Sequence, residues 1–366
     1  MSDSLKRRLA RRIQEEGPIT FAAFMEAALY DPAGGFYTNP PIGVDRHFVT
    51  SPHVSPAFGD LVARQAVEVW EFLGRPRTLT IVEVGAGDGT LARRVLHTLR
   101  DVPDLGASLR YVAVERSPGS REALEQLDVE VHDSLAGVGP QTGFLIANEL
   151  FDNLPFHRLR NRDGHVREVR VGMNGEKFVE IEGDPSRLAL SALEGPIRVG
   201  EEKPVSPESL VLVRQIAATL RRGYALLVDF GFGSQQMAGP VHAYRDHQVL
   251  ADVLEDPGSR DVTAAVDLEA LSREARQAGL SVRGPVSQRE ALLALGFRLW
   301  LSGLRARQAE AEQAGDWREA TRLYSERSKA TLLIDPSQLG GLQVLALATA
   351  GLPPLVSVLG DREKSC

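Results

Sequence analysis

The chain has 366 residues, with 42 Lys and Arg against 49 Asp and Glu, a net charge of −7. Hydrophobic residues at 43% and charged residues at 25% exclude a fibrous or disordered chain, and the acidic surplus argues against nucleic acid as the main partner. The single cysteine, Cys366, excludes a disulfide framework and any cysteine cage for zinc or iron–sulfur, and fits a reducing compartment.

Residues 1–13 carry Lys6, Arg7, Arg8, Arg11 and Arg12 without an apolar core, and Glu15 and Glu16 follow. The segment reads as a solvated first helix rather than a secretory signal. Residues 20–29 place Phe21, Phe24, Met25 and Ala28 at helical spacing, with Thr20 as the N-cap. Asp31-Pro32 stops that helix, and Gly34-Gly35 opens a long loop to about Pro56. Its length and its Phe36, Tyr37 and Phe48 predict a functional lid. A further helix over 58–73 completes an N-terminal helical and lid segment, 1–75. The rest, 76–366, is expected to be the core domain, with insertions at about 157–200 and 288–335. The uncharged stretch 344–360 is interrupted by Pro353-Pro354 and falls short of the roughly 20 residues that span a bilayer.

The core region changes pattern. Apolar strands are predicted over 79–84, 111–114, 129–131, 143–147 and 225–228, with a glycine turn at 85–89 and helices over 91–99 and 120–127. Short apolar strands alternating with helices predict an α/β fold with right-handed crossovers and a parallel sheet covered on both faces. The active site of such a sheet lies beyond the carboxyl ends of its strands. Residues 157–181 alternate polar and apolar around Arg162-Asp163-Gly164 and Asn174-Gly175, which predicts an inserted antiparallel meander. An apolar helix over 290–304 and a charged one over 305–329 predict a helical hairpin capping the sheet, with Trp300 and Trp317 as its packing.

The string Ile81-Val82-Glu83-Val84-Gly85-Ala86-Gly87-Asp88-Gly89-Thr90 feeds glycine backbone from a strand into a helix, so a ligand can approach the main chain closely. A dinucleotide fingerprint needs glycine at position 90, where Thr90 stands, and the Lys-Ser or Lys-Thr of a P-loop is missing. The pattern is acidic-x-Gly-x-Gly-x-Gly, with Glu83 before the turn and Asp88 within it. Two carboxylates repel a pyrophosphate but suit the ammonium and sulfonium of S-adenosylmethionine. Glu115 ends the second strand, where a carboxylate can chelate a ribose diol, and Asp133 follows the third, where it can accept from an adenine amino group. Singly, each is also readable as a turn or loop acid; three at successive strand ends favour a nucleoside cofactor. His242 and His247 share no helix face and offer no metal pattern, so no metal is expected.

The fourth strand ends in Asn148-Glu149-Leu150-Phe151-Asp152-Asn153. One reading is a capped helix start, with Leu150 and Phe151 in the core. The other is nucleophile handling, with Asn148, Glu149 and Asp152 as catalytic candidates. Methyl transfer from a sulfonium is an in-line displacement, so the protein supplies alignment, desolvation and proton removal. A forked, cationic guanidinium is matched by carboxylates, and Glu149 and Asp152 would hold it, one of them taking the proton late. Asp229 and the Gly231–Gly233 turn lie beside this position, as a plain strand-to-loop turn or with a catalytic role.

Several strings together resemble the MidA-like family of S-adenosylmethionine-dependent methyltransferases, which includes a mitochondrial protein arginine methyltransferase. They are Val49-Thr50-Ser51-Pro52-His53-Val54-Ser55-Pro56-Ala57-Phe58-Gly59, residues 82–91 and 147–155, Leu226-Leu227-Val228-Asp229-Phe230-Gly231-Phe232-Gly233, Asp256-Pro257-Gly258-Ser259-Arg260-Asp261-Val262-Thr263-Ala264-Ala265-Val266-Asp267, and Leu342-Gln343-Val344-Leu345-Ala346-Leu347. The resemblance implies a class I (Rossmann-like) methyltransferase sheet. It also implies that Glu83, Gly85, Gly87 and Gly89 bind the cofactor, with Glu115 at its ribose and Asp133 near its adenine. The loop holding Thr50, Ser51 and Pro52 is implied to close over the methionine moiety. Two stretches depart from the family pattern: Arg46-His47-Phe48 stands where Gly-Asp-Phe is usual, and Pro240-Val241-His242-Ala243-Tyr244 where a Thr-Leu-Arg-like run is common.

The expected activity is methyl transfer to an arginine guanidinium of a protein partner. Methylation of a small molecule's oxygen or nitrogen is the alternative, and a non-catalytic cofactor-binding assembly factor the third. The partners expected are this acceptor, protein or small molecule, and a second copy in a homodimer, with neither nucleic acid nor membrane. The expected location is the cytoplasm.

Overall fold

All six residues of the strand Leu79–Val84 are buried, as a strand covered on both faces must be. The computed structural model describes residues 4–38, 50–233, 238–245, 248–250 and 252–359. Leu79–Val84 is an interior strand of a seven-stranded sheet, ordered Ser281–Ser287, Gln343–Ala348, Leu220–Asp229, Gln141–Asn148, Leu79–Val84, Leu109–Val114, Glu130–His132. The chain starts in the middle, runs outward to one edge, then returns to Gln141–Asn148 and continues toward the other. The crevice where this direction switches lies above Val84 and Asn148, the position at which open α/β sheets bind ligands.

The five strands expected from the sequence pair parallel, and two further strands complete the sheet, of which Gln343–Ala348 runs antiparallel to both Leu220–Asp229 and Ser281–Ser287. Burial on both faces gives a reversed strand the same apolar run as a parallel one, so composition does not report direction. One face packs Phe58, Trp70, Leu91, Phe144 and Tyr224 under the helices Pro56–Phe72 and Thr90–Leu99. The other packs Leu145, Leu227 and Ile216 under Pro207–Thr219 and Leu268–Gln277.

The meander is present and larger than expected. His157–Arg162, His165–Asn174 and Lys177–Gly183 pair antiparallel, turning at Asp163-Gly164 and at Gly175, where φ is positive. Glu202–Val205 adds one edge, and Ile19–Thr20 from the N-terminal segment adds another. The first helix, Leu5–Glu16, is therefore not simply solvated. Its Leu5, Leu9 and Ile13, one face at four-residue spacing, are buried in a third core with Phe21, Phe24, Phe156 and Val171.

The cap also differs from the expected hairpin. Three helices, Gln288–Ala294, Phe297–Gln313 and Trp317–Thr331, replace the two expected over 290–304 and 305–329. The breaks fall at Gly296 and Gly315, both at positive φ, and Asp316 caps the last helix by accepting the Glu319 N–H at 3.1 Å. Trp300 packs as expected and donates to Asp60 Oδ2 at 2.8 Å. Trp317 does not: it is 67% exposed. Among the described residues no helix is long and apolar enough to cross a membrane.

Candidate active site

The glycine turn leaves the sheet at Val84. Gly85, Gly87 and Gly89 take φ of 75°, 55° and 77°, a region that L side chains enter only with strain. A Cβ on Gly85 would meet Leu150 Cδ1 at 2.9 Å, and one on Gly89 would meet Leu127 Cδ1 at 2.7 Å. Gly85 N–H donates to Val114 O at 2.9 Å, and Thr90 N–H to Asp88 Oδ1 at 3.0 Å, where the helix Thr90–Leu99 begins. The turn forms one wall of a cavity of about 270 Å³ that the strand ends share with the N-terminal segment. Glu83, Gly85, Gly87, Glu115 and Asp133 line one side, Asn148 and Glu149 another, and Thr50, Pro52 and His53 a third. The sequence-predicted residues Gly89, Ser51 and Asp152 are not in this lining. Of the expected lid aromatics, Phe36 and Tyr37 are; Phe48, with Arg46 and His47, lies outside the described residues, as does His247.

The acids differ in state. Burial pushes Glu83 up to about 8, opposed by the hydroxyl of Tyr111, which donates to its Oε2 at 2.6 Å. Glu115 is raised by burial, although it accepts Ser117 N–H at 2.7 Å and Gly87 N–H at 2.8 Å. The second of those bonds fastens the glycine turn to the neighbouring strand. Burial also acts upward on Asp88, but hydrogen bonds from His53 and Thr90 outweigh it and hold the carboxyl below its ordinary value. His53 stands between Thr50 Oγ1, 2.8 Å from Nδ1, and Asp88 Oδ2, 3.2 Å from Nε2, and so ties the short helix Ser51–Val54 to the glycine turn.

Glu149 has φ of 50°, a strained conformation for a residue with a side chain and the kind of strain that collects at functional positions. Its N–H donates to Val228 O at 2.7 Å, and its Oε1 accepts Ser51 N–H at 2.8 Å and Asn148 Nδ2–H at 3.1 Å. Burial raises its pKa against these donors. Asp152, turned away by the short helical turn Phe151–Asn153, is raised by burial and by Asp229, Asp261 and Glu149 nearby. Asp229 resolves toward the structural alternative: it accepts Leu150 and Phe151 N–H at 3.0 and 2.7 Å and Phe230 N–H at 2.9 Å, and burial still raises it to about 7. Asp261, raised by burial to about 6, holds Asn153 at 2.9 Å.

A cationic nucleoside fits this donor set. Six carboxylates line the cavity, against one guanidinium, Arg116, which is paired with Glu26 and lies 4.2 Å over the Tyr30 ring. Glu149 Oε2 and Asn148 Oδ1 are buried acceptors without a donor, an arrangement that asks for a ligand bringing N–H groups or positive charge. Residues 61–286 match the family described as "Putative S-adenosyl-L-methionine-dependent methyltransferase". The protein arginine methyltransferase NDUFAF7 homolog, mitochondrial, of Drosophila melanogaster is 31% identical over 78% of this chain and 73% of its own. The Homo sapiens mitochondrial protein arginine methyltransferase NDUFAF7 is 28% identical over 81% and 74%. A crystal structure from Burkholderia thailandensis bound to S-adenosyl-homocysteine superposes with a TM-score of 0.83 at 25% identity, covering 99% of this chain and 96% of that one. The chain belongs to this methyltransferase family, and its cofactor is S-adenosylmethionine.

The sequence gives His53 no role of its own, although its place next to Thr50, Ser51 and Pro52 was the available signal. It assigned nothing to Gln288, whose side chain meets Ser51 across a separation in the chain that no local pattern bridges.

Proposed function

We propose that the protein transfers the methyl group to an arginine guanidinium of a protein partner, with Glu149 as the acceptor-handling acid. The observation that carries this reading is a pair of buried acceptors without donors on the cavity wall, Glu149 Oε2 and Asn148 Oδ1. Asp152 lies outside the lining and, through its charge, joins Glu149 and Asp261 in one negative neighbourhood behind them. A guanidinium brings five N–H donors and a fixed positive charge, whereas a neutral hydroxyl brings one donor. The relatives named above as protein arginine methyltransferases support the same acceptor.

S-adenosylmethionine supplies an electrophilic methyl group on a sulfonium. Glu83, Glu115, Asp133 and the backbone of Gly85 and Gly87 would hold that cofactor. Glu149 would hold the acceptor and, at Oε2, receive the proton that the guanidinium nitrogen sheds late in the transfer. Tyr30, Phe36 and Tyr37 line the cavity and, by keeping water from it, would strengthen each of these charge interactions. A cytoplasmic location, which the single cysteine fits, and a homodimer belong to the same proposal; fractionation and sedimentation check them.

The test is transfer of tritium from labelled S-adenosylmethionine into a lysate, followed by acid hydrolysis of the protein fraction. Labelled methylarginine is expected. Label confined to small molecules would replace this reading by small-molecule methylation, and cofactor binding with no label anywhere would favour a non-catalytic assembly factor.

A further inference from the structure

We propose that Gln288 is a positioning residue for methyl transfer, acting through Ser51 to hold the Glu149 carboxylate with one oxygen committed and the other free. The inference rests on the reading of Glu149 as the acceptor-handling acid.

Gln288 opens the helix Gln288–Ala294 of the cap and is 1% exposed. Its N–H donates to Leu342 O at 2.7 Å, and its Nε2 donates to Leu333 O at 3.1 Å. A carbonyl oxygen can only accept, so the amide nitrogen must face Leu333 and the amide oxygen must face Ser51. Ser51 Oγ lies 3.2 Å from that oxygen and donates to it. The hydroxyl also acts on the Glu149 carboxyl, favouring its charged form against burial, but its one proton goes to Gln288.

Ser51 is fully buried and opens the short helix Ser51–Val54. With its side chain caught by Gln288, its backbone N–H is delivered to Glu149 Oε1 at 2.8 Å, where Asn148 Nδ2–H converges at 3.1 Å. Two donors meet on Oε1 and none on Oε2. That asymmetry selects Oε2 as the oxygen left for the acceptor. Neither Ser51 nor Gln288 lines the cavity, so their route to the chemistry runs through Glu149. His53, Asp152 and Asp229 also face Glu149 through their charge, but none of them touches Gln288 through a bond described above. Short of proline, which has no N–H, a change of side chain leaves a backbone donor in place; the sequence controls it by fixing the residue that carries it, which is what Gln288 does.

Gln288→Met keeps the length of the side chain and removes both of its polar contacts. In the S-adenosyl-homocysteine-loaded protein, this variant should exchange the Ser51 amide hydrogen at least tenfold faster, read on the peptide containing Ser51. Its single-turnover label transfer to the lysate acceptors should fall about tenfold, the scale expected when a reacting group loses its alignment, with S-adenosyl-homocysteine affinity unchanged within about twofold. Ser51→Ala cuts the same link from the other side and should reproduce both effects, even if the first variant fails to fold. The double variant should be no slower than the slower single one. Unchanged exchange and transfer, or a parallel loss of cofactor affinity, would overturn the proposal. Glu149→Gln separates the two layers: if it keeps its rate, the reading of Glu149 fails; if it is inactive while Gln288→Met and Ser51→Ala are normal, only the positioning role fails.

Discussion

Glu83 is the group whose titration the cofactor should move most. It is 4% exposed with a pKa pushed up to about 8 by burial, so at pH 7 about nine molecules in ten carry it protonated. A cationic ligand in the cavity favours the carboxylate form, so binding expels this proton. The expulsion costs about 1.4 kcal/mol for each pH unit below 8. S-adenosylmethionine affinity should therefore rise about tenfold per pH unit between pH 5.5 and 7, below the range in which the cofactor's own α-amino group titrates. Calorimetry at pH 7 in buffers of low and high ionisation enthalpy counts the released protons. Glu83→Gln should release about 0.9 proton fewer than wild type and flatten the pH dependence correspondingly. Equal proton release from the two proteins, or a wild-type affinity independent of pH, would refute the assignment of Glu83 to the cofactor.

The same raised pKa has a consequence for the cofactor-free protein. Glu83 binds its proton more tightly folded, at about 8, than at its ordinary value of 4.5, so its contribution is complete below 4.5 and is lost as pH rises toward 8, by up to about 5 kcal/mol; denaturant midpoints of wild type and Glu83→Gln across this window check it. Asp229→Ala removes the acceptor of three loop N–H groups and should cost about 3 kcal/mol or more, read in urea unfolding. Gly87→Val puts a branched side chain at φ 55° on the cavity wall and should abolish S-adenosyl-homocysteine binding in calorimetry. His53→Ala cuts the tie between the helix Ser51–Val54 and Asp88 and should speed S-adenosyl-homocysteine release several-fold in stopped-flow displacement.

What was legible in the sequence was contiguous. The glycine turn, the acids at successive strand ends and Asn148-Glu149 each sit within a few residues of a strand whose apolar run announces it, and the structure gathers all but Gly89 of these around one cavity. Contiguity also misleads. Asp152 is three residues from Glu149, but the turn Phe151–Asn153 carries it out of the cavity lining, because a tight helical turn rotates successive side chains to different sides. The first helix reads as solvated when its five basic residues are counted, and as amphipathic when Leu5, Leu9 and Ile13 are spaced. The reversed direction of Gln343–Ala348 and the meeting of Gln288 with Ser51 are set by tertiary packing between distant segments, which no local period encodes.

The most direct test of the account is single-turnover transfer by Glu149→Gln, measured beside S-adenosyl-homocysteine titration of the same protein. The account predicts wild-type affinity and a transfer rate lowered by at least about a hundredfold, the scale of losing a positioned acid–base group. A variant that binds the cofactor normally and transfers at the wild-type rate would contradict it.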